Sequence, residues 1–331
     1  MKILAFETSC DETGVAVVED GRTIRSNVLA SQIATHAKTG GIVPEIAARE
    51  HLRAIDPLVE DALQTAGLAL KDVDAVAATV GPGLAGCLLV GANYARGLAL
   101  AAGLPFIGVN HLEAHVYANW LATSDPPPTE PELPAVVLVV SGAHSDLVVM
   151  HHHREFELLG RTIDDAAGEA FDKVARLIGL SFPGGPEIER AAKSGDPVAV
   201  PLPRAWLADS YHFSFSGLKT AVLRYTRERP GYSVPDVAAS FQKAVAEVLA
   251  EKTARAVAEF GGRSVLLGGG VAANGQLRAE IAKRVGAERL RVPPPRLCTD
   301  NGAMVGAAAF FALRYRTSEV PLAVRPNMKL A

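Results

Sequence analysis

Two histidines four residues apart are the first feature of this sequence with recognisable chemistry. His111 and His115 stand in the run His-Leu-Glu-Ala-His. On an α-helix, residues four apart share one face, so both imidazole rings can reach a single divalent cation. The zinc-protease motif places its glutamate directly after the first histidine, whereas Glu113 falls about 200° around the helix from His111. The pattern indicates a metal site or, alternatively, two ordinary helix histidines, and it argues against a protease.

A third metal ligand can come from a later segment of the chain. Asp300 follows a predicted strand at 289–292, as His111 follows a predicted strand at 105–109. If the two halves of the chain are similar domains, Asp300 faces the two histidines across a cleft. Two histidines and one carboxylate leave coordination positions open, as catalytic metal sites require. The alternative for Asp300 is the N-cap of the helix that follows it.

Three glycine-containing loops suggest a second kind of chemistry, the binding of phosphate or nucleotide. Backbone N–H groups in such loops can cradle an anion. A polar hairpin turn is the alternative for the first loop, and a packed strand-to-helix turn with Asn274 as the N-cap is the alternative for the third. The loops are 141–145 (SGAHS), 183–186 (PGGP) and 268–270 (GGG). The three consecutive histidines at 151–153 are interpreted as a solvated turn because no carboxylate stands in register with them.

Secondary-structure patterns divide the chain into two repeats that must position these residues. Each repeat runs hairpin, helices, strand, glycine loop, helix, strand and polar residue. The predicted strands are 2–7, 15–18, 73–80, 105–109, 135–140, 146–150, 264–267 and 289–292, and the predicted helices are 44–66, 86–102, 166–178, 187–193, 236–260, 274–285 and 301–315.

This order predicts an α/β fold of two pseudo-symmetric actin-like (ASKHA, RNase H-like) lobes with a cleft between them. The expected lobes are 1–115 together with a returning C-terminal segment 301–331, and 116–300. A proline-rich segment at 124–134 is the expected connection.

Composition is close to that of an average soluble globular protein, but the charge is unevenly distributed along the chain. Residues 1–165 hold 10 Lys/Arg against 21 Asp/Glu (net −11), and residues 166–331 hold 23 against 15 (net +8). An anionic partner for the second half would explain this asymmetry, and solvated helix faces are the alternative. The three scattered cysteines argue against disulfides and structural zinc. Without a signal peptide or a long apolar run, a cytoplasmic protein with no membrane partner is expected.

Nine segments, in order along almost the whole chain, resemble the TsaD family of tRNA N6-adenosine threonylcarbamoyltransferases. They are 7–13 (ETSCDET), 40–45 (GGIVPE), 109–115 (VNHLEAH), 140–142 (VSG), 164–173 (DDAAGEAFDK), 183–186 (PGGP), 213–219 (FSFSGLK), 269–274 (GGVAAN) and 298–301 (CTDN). The resemblance implies transfer of a threonylcarbamoyl group from threonylcarbamoyl-AMP to N6 of the adenosine 3′ to the anticodon. Two other functions remain open, a small-molecule O-carbamoyltransferase and an actin-fold ATPase or kinase.

The resemblance also implies the site residues. His111, His115 and Asp300 would hold one divalent metal ion, Fe²⁺ in preference to zinc. Independently of the resemblance, the carboxylates Asp11 and Glu12 in the first hairpin are the candidates for the general base. The residues that would hold the adenylate are Val139, Val140, Ser141, Gly142, Ala143, Asp172, Gly185, Glu189 and Asn274.

Two departures from the family pattern bear on these expectations. Ala143 replaces the usual glycine, so its backbone must avoid a positive φ. Val139 stands where archaeal and eukaryotic relatives have a tyrosine, which indicates the bacterial branch. The partners expected for that branch are tRNA, a TsaB-like paralogue and a TsaE-like P-loop ATPase.

Overall fold

The structure is a computed structural model that describes residues 1–39, 41–122, 124, 127–315 and 323–331. Gly40 of the 40–45 segment lies outside the described residues, as do 123, 125 and 126 around the predicted connection and 316–322 of the predicted C-terminal return.

The strands form two five-stranded sheets with the same topology. The first has the order β3-β2-β1-β4-β5 and the second β10-β9-β6-β7-β8. In each, a central strand (β1 or β6) pairs antiparallel with the next strand in the chain and parallel with a later one. The strands are β1 Lys2–Glu7, β2 Glu12–Glu19, β3 Thr23–Ser31, β4 Ala75–Gly81, β5 Phe106–Asn110, β6 Ala135–Val140, β7 Ser145–His152, β8 Glu155–Arg161, β9 Ser264–Gly268 and β10 Leu290–Arg291.

Helices connect the strands and cover the sheets. They are α1 Ile33–Ala37, α2 Pro44–Ala66, α3 Ala85–Ala102, α4 His111–Tyr117, α5 Ala167–Leu177, α6 Gly184–Ala192, α7 Ser216–Glu228, α8 Val234–Phe260, α9 Gly275–Val285, α10 Pro295–Cys298 and α11 Gly302–Arg314, with short 3₁₀ turns at Leu70–Asp72, Ala118–Trp120 and Gly270–Ala273. By length and composition alone α3 could cross a membrane, a test that core helices of soluble proteins also pass.

The chain divides into two compact units. Unit 1 comprises Met1–Pro131, His153–Glu155 and Arg296–Ala331, and unit 2 comprises Glu132–His152 and Phe156–Pro295. These bounds differ from the expected lobes at three places, since 116–131, 153–155 and 296–300 belong to unit 1. Asp300 therefore lies in the same unit as both histidines, and the expectation that it faces them from the other lobe is not met.

The repeated topology confirms the α/β fold class predicted from the sequence. All the predicted strands and helices are present, most of them with ends within two residues. Sequence reasoning did not predict β3, β8 and α7. The burial of β3 and β8 is partial and irregular, so neither strand shows the continuous apolar run of the central strands.

The core of unit 1 lies between its sheet and the helices on both faces. α2 buries Ala47, His51, Ile55, Val59 and Ala62, a three- to four-residue spacing that keeps one helix face on the sheet. Ile55, Val59 and Ala62 pack in one cluster with β1 and β2 side chains such as Phe6 and Val17. α11 is buried along most of its length and packs against β1, β2 and α4. The burial of α11 fixes the place of Asp300, two residues before the helix begins.

Close approach of α11 to β2 depends on two glycines. A Cβ on Gly302 would lie 2.6 Å from the Ala16 nitrogen, and one on Gly14 would lie 2.7 Å from the Gly302 nitrogen. Backbone cannot move aside as a flexible side chain can, so neither position admits a larger residue without displacing the helix.

We expect Gly302→Ala to lower the free energy of unfolding by about 1–3 kcal/mol, because the added methyl group overpacks a backbone contact. The matched control is Gly97→Ala in α3, where a Cβ meets nothing within 4 Å and alanine should stabilise the helix by about 0.5–1 kcal/mol. Urea unfolding of both variants measures the difference. Equal stabilities for the two variants would contradict this description of the α11–β2 contact.

Candidate metal centre

The two histidines are placed by the junction of β5 and α4. The side chain of Asn110 caps α4, accepting hydrogen bonds from the backbone N–H of Leu112 at 2.8 Å and of Glu113 at 3.3 Å. This cap starts the helix at His111, directly at the carboxyl end of a parallel strand, and puts His115 one turn further on. Both histidines are buried.

Asp300 lies in the turn between α10 and α11. The side chain of Asn301, rather than Asp300, caps α11 by accepting a hydrogen bond from the Met304 N–H at 3.0 Å. The alternative interpretation of Asp300 as the N-cap is therefore wrong.

The three side chains converge within unit 1. Asp300 Oδ1 lies 3.2 Å from His115 Nε2 and 3.5 Å from His111 Nε2. One possible ligand atom from each of the three residues lies within 4.8 Å of the others. Two ligands each about 2.0–2.1 Å from one ion at tetrahedral or octahedral angles are roughly 2.9–3.4 Å apart. The separations found here are close to that range.

A buried carboxylate orients His111. Glu7, at the end of β1, lies with its Oε2 3.0 Å from His111 Nδ1 and also accepts a hydrogen bond from the Thr79 hydroxyl at 2.6 Å. Ser9 Oγ lies 3.2 Å from the same ring nitrogen. A proton on Nδ1, donated to Glu7, leaves the Nε2 lone pair directed at the site, as in the carboxylate–histidine–metal arrangement. Sequence reasoning missed Glu7, although an acidic residue closing an apolar strand was a usable signal.

His115 supplies the test of whether these residues fit a metal. Both of its ring nitrogens are buried and neither makes a hydrogen bond. Buried polar atoms in native proteins nearly always have a partner, so this ring is costly unless something coordinates it. Two imidazole nitrogens and a carboxylate oxygen suit Fe²⁺ or Zn²⁺, and the residues present therefore fit such an ion.

The field at the site is negative enough to hold a positive charge. Burial acts to lower the pKa of His111, but the carboxylates of Glu7 and Asp300 outweigh burial and raise it to about 9. Burial likewise opposes ionisation of Glu7, yet the charge on His111 and its hydrogen bond lower the Glu7 pKa overall. A divalent cation bound by Nε2 would replace the proton that this field attracts.

Two further carboxylates follow Glu7: Asp11 lies in the turn between β1 and β2, and Glu12 is the first residue of β2. Burial, and then repulsion from Asp300, raises the pKa of Asp11. Burial raises the pKa of Glu12 to about 7, against a lowering by its hydrogen bond from Ser31. Glu12 Oε1 accepts that bond at 2.7 Å, while Oε2 is buried without a partner. A carboxyl group with a pKa near neutrality can exchange protons at physiological pH.

The predicted adenylate residues all lie in unit 2, and the first group surrounds the β6–β7 turn. Val139 and Val140 are fully buried in β6, so a ligand could reach only their backbone. Ser141 and His144 close the turn through Ser141 N–H to His144 O at 2.8 Å. Gly142 and Ala143 are exposed at its tip. Among the described residues Ala143 is not one of those with positive φ, so the replacement of glycine brings no backbone strain.

The second group of adenylate residues is joined by hydrogen bonds at the ends of α6 and α9. Asp172 Oδ1 accepts from the Gly184 N–H at 2.7 Å, and Glu189 Oε1 accepts from the Gly275 N–H at 2.9 Å. Asn274 caps α9 and donates to Gln242 Oε1 at 2.8 Å, so the capping interpretation of Asn274 is confirmed. Gly185 has open space where a Cβ would stand, whereas Gly184 packs against Asp172.

A buried ion pair on the far side of α4 was not visible in the sequence. Arg154 Nε donates to Glu113 Oε1 at 2.9 Å, and both side chains are almost fully buried. Arg154 also reaches the carbonyls of Ala312 and Tyr315 at the end of α11. Its φ of 65° lies in the left-handed region, which a non-glycine residue adopts when its surroundings hold it there. Arg154 thus connects the two helices next to the candidate ligands.

The neighbouring His153 corrects the prediction that residues 151–153 are a solvated turn. Its ring stacks on Phe311 and Tyr315, with centroid distances of 4.7 and 4.4 Å. The turn begins only at His153, since His151 and His152 end β7, and this histidine packs in the aromatic cluster beside α4.

The sheet topology, found in both units, is that of the actin-like fold. HypF of T. kodakarensis has a similar structure, with a TM-score of 0.61 at 15% identity over 95% of this chain and 47% of that one. At this identity the likeness shows the fold alone.

Sequence comparison identifies the family. Residues 23–307 match the family described as TsaD, tRNA N6-adenosine threonylcarbamoyltransferase. Proteins of that name from Thermomicrobium roseum (52% identical, covering 100% of this chain and 97% of that protein) and Symbiobacterium thermophilum (55%, 94% and 92%) align over nearly their full lengths. The chain belongs to the TsaD family.

We expect Arg154→Ala to lower the free energy of unfolding by about 3 kcal/mol, because Glu113 would be left buried without its cation. Arg49→Ala is the control, since Arg49 pairs with Glu45 on an exposed face of α2 and its loss should change stability little. Thermal and urea unfolding measure both. Equal effects of the two substitutions would show that the Arg154–Glu113 pair does not brace α4.

Proposed function

We propose that this chain transfers the threonylcarbamoyl group from threonylcarbamoyl-AMP to N6 of the adenosine 3′ to the anticodon, in tRNAs that read codons beginning with A. The products are N6-threonylcarbamoyladenosine (t6A) and AMP. Family membership supports tRNA as the substrate and supports transfer over the kinase and small-molecule carbamoyltransferase alternatives. The observation that carries a metal-dependent mechanism is the convergence of His111, His115 and Asp300, with both ring nitrogens of His115 buried and neither making a hydrogen bond.

The chemical difficulty lies in the nucleophile. The lone pair of the exocyclic amine is delocalised into the adenine ring, so the acyl donor must be made more electrophilic and the phosphate a better leaving group. A divalent cation held by His111, His115 and Asp300, Fe²⁺ in preference to zinc, would supply Lewis-acid stabilisation of the donor's oxygens.

The residues around the centre contribute orientation and proton transfer. Glu7 and Ser9 fix the ring of His111 so that Nε2 faces the site. Asp11 or Glu12 would accept the proton that the amine loses when the new N–C bond forms. We favour Glu12, because its pKa of about 7 lets it be ionised in a working enzyme and still be a useful base.

The residues of unit 2 would bind the adenylate. Backbone groups of Val139 to Ala143 are suited to the phosphate, since the exposed turn tip carries no bulky side chain. Open space beside Gly185 admits a flat base, and Asp172, Glu189 and Asn274 offer polar atoms nearby for the nucleoside.

The proposal extends to cellular context. We propose a cytoplasmic enzyme that works with a TsaB-like paralogue and a TsaE-like P-loop ATPase, as the family resemblance implies. Lobe boundaries between residues 115 and 116 and between residues 300 and 301 remain a prediction. The nearest boundaries of the two compact units fall between residues 131 and 132 and between residues 295 and 296.

The test of the function is transfer of labelled threonylcarbamate from threonylcarbamoyl-AMP to unmodified tRNA, with and without the two partner proteins. We expect labelled t6A after digestion of the tRNA to nucleosides. Release of AMP with no label in tRNA, partners included, would contradict the proposal.

For the metal centre, we expect Asp300→Ala to lose bound iron or zinc and to transfer at least about 100-fold more slowly, since even the loss of a residue that only supports a ligand costs 10–100-fold. Elemental analysis of untagged protein and the transfer assay measure the two effects. Asp61→Ala, on the exposed surface of α2, is the control. Undiminished transfer by the Asp300→Ala variant would remove the metal from the mechanism.

For the general base, we expect kcat/KM for transfer to rise with pH and to level off above about 7, because the base must be ionised and Glu12 holds its proton below that pH. Glu12→Gln should abolish most of the activity, and the activity that remains should no longer rise with pH up to about 7. Glu19→Gln, at the other end of β2, should leave the profile unchanged. An unaltered pH profile in the Glu12→Gln variant would transfer the role to another group.

A further inference from the structure

Helix α7 carries a row of arginines that have no role in the fold or in the candidate site described above. We propose that these residues, Arg224, Arg227 and Arg229, bind the phosphate backbone of the tRNA; they are called the α7 arginine face below. This inference rests on the proposed function, because it takes tRNA as the substrate, and it adds where on this chain the RNA backbone is held.

The α7 arginine face is exposed and has no acidic partner. Arg224 and Arg227 are exposed and lie three residues apart on one side of the helix, and Arg229 follows at its end. Among the described residues, the ion pairs within 4.0 Å include none of the three. Arg229 instead lies over the ring of Tyr225 at 4.4 Å from its centroid. Their guanidinium groups are available to an external anion.

A second basic stretch of unit 2, at 278–291, contains arginines whose guanidinium groups bond to other groups of the protein. Arg278 donates to the Ala272 carbonyl at 2.7 Å, and Arg291 donates to the Glu288 carbonyl at 2.6 Å. Arg284 pairs with Glu251 at 3.1 Å and with Glu280. These three arginines stabilise the fold itself. Part of the positive charge of this stretch is therefore used within the fold, although Lys283 and Arg289 are exposed. On α7 and at its end, Arg224, Arg227 and Arg229 are all exposed.

Two aspartates fix the position of α7. Asp164 Oδ1 accepts from the Phe215 N–H at 2.9 Å, and its Oδ2 accepts from the Ser214 hydroxyl at 2.5 Å. Asp165 pairs with Lys219 on α7 and with Lys173 on α5, each at 2.7 Å. The 164–173 and 213–219 sequence segments thus join α7 to α5, the helix that carries Asp172.

The chemistry of the α7 arginine face fits RNA phosphates better than RNA bases. Guanidinium groups match the geometry of phosphate oxygens, and such contacts position a nucleic acid without reading its sequence. The one aromatic ring in the row, Tyr225, has Arg229 over one of its faces, so it offers a base little of the stacking surface that single-strand binders present. A phosphate surface is thus the occupant that these residues would hold.

The test compares two variants that each lose two positive charges. Arg224→Gln/Arg227→Gln removes two members of the α7 arginine face. Lys283→Gln/Arg289→Gln removes two other exposed cations of unit 2. Steady-state transfer is measured as a function of tRNA concentration and of salt, under the conditions in which the wild-type chain transfers. AMP release without tRNA and thermal unfolding show that the site and the fold are intact.

We expect the α7 variant to raise KM for tRNA on the order of tenfold, with kcat and tRNA-independent AMP release unchanged. Its plot of log KM against log salt should be shallower by roughly 1.4–1.8, since each phosphate contact contributes about 0.7–0.9. The control variant should resemble wild type. Equal KM values for both variants would overturn the inference and point to another partner for α7, such as an acidic protein surface. A wild-type chain that transfers nothing to tRNA would instead refute the proposed function.

Discussion

The hydrogen bond between the buried carboxylate of Glu7 and Nδ1 of His111 is the interaction on which the candidate metal centre depends. Glu7 ends β1, the central strand of its sheet. Its Oε2, which contacts His111, also accepts a hydrogen bond from Thr79 of the neighbouring strand β4, and its Oε1 accepts one from the Ser9 N–H. Because β1, β4 and β5 are parallel, their carboxyl ends meet at one edge, and His111 follows directly on β5. A carboxylate placed there is costly to bury unless a positive charge or a donor compensates it. The sheet thus creates the negative field that a cation relieves.

Much of the fold was predictable because the strongest sequence signals are periodic. Apolar runs gave the central strands, and helical spacing gave α2, α8 and α9. The strands β3 and β8 were missed because polar residues interrupt their apolar pattern. α7 was missed because it begins at a cap supplied by Asp164, about fifty residues away in the chain. Local pattern carries no information about such a partner.

The candidate ligands were found from residue type and spacing, but their arrangement was not. A symmetric repeat suggested that Asp300 would come from the second lobe. In the structure the chain returns to unit 1 at residue 296, so Asp300 precedes a helix that packs on the first sheet. Glu7 and Arg154 act on the histidine helix through contacts 104 and 41 residues apart in sequence. Long-range pairs of this kind follow from the fold and cannot be read from a local pattern.

The discontinuity of unit 1 has a consequence for its biosynthesis. Its segments are Met1–Pro131, His153–Glu155 and Arg296–Ala331, whereas unit 2 is complete at Pro295. The N-terminal part of a chain emerges from the ribosome first, and domains generally fold as units during translation. Unit 2 can therefore finish folding while the first sheet still lacks α11, the helix that covers the strands next to Glu7. The segment that begins at Arg296 closes that face and delivers the third candidate ligand, so nascent chains that stall before residue 300 cannot assemble the complete centre.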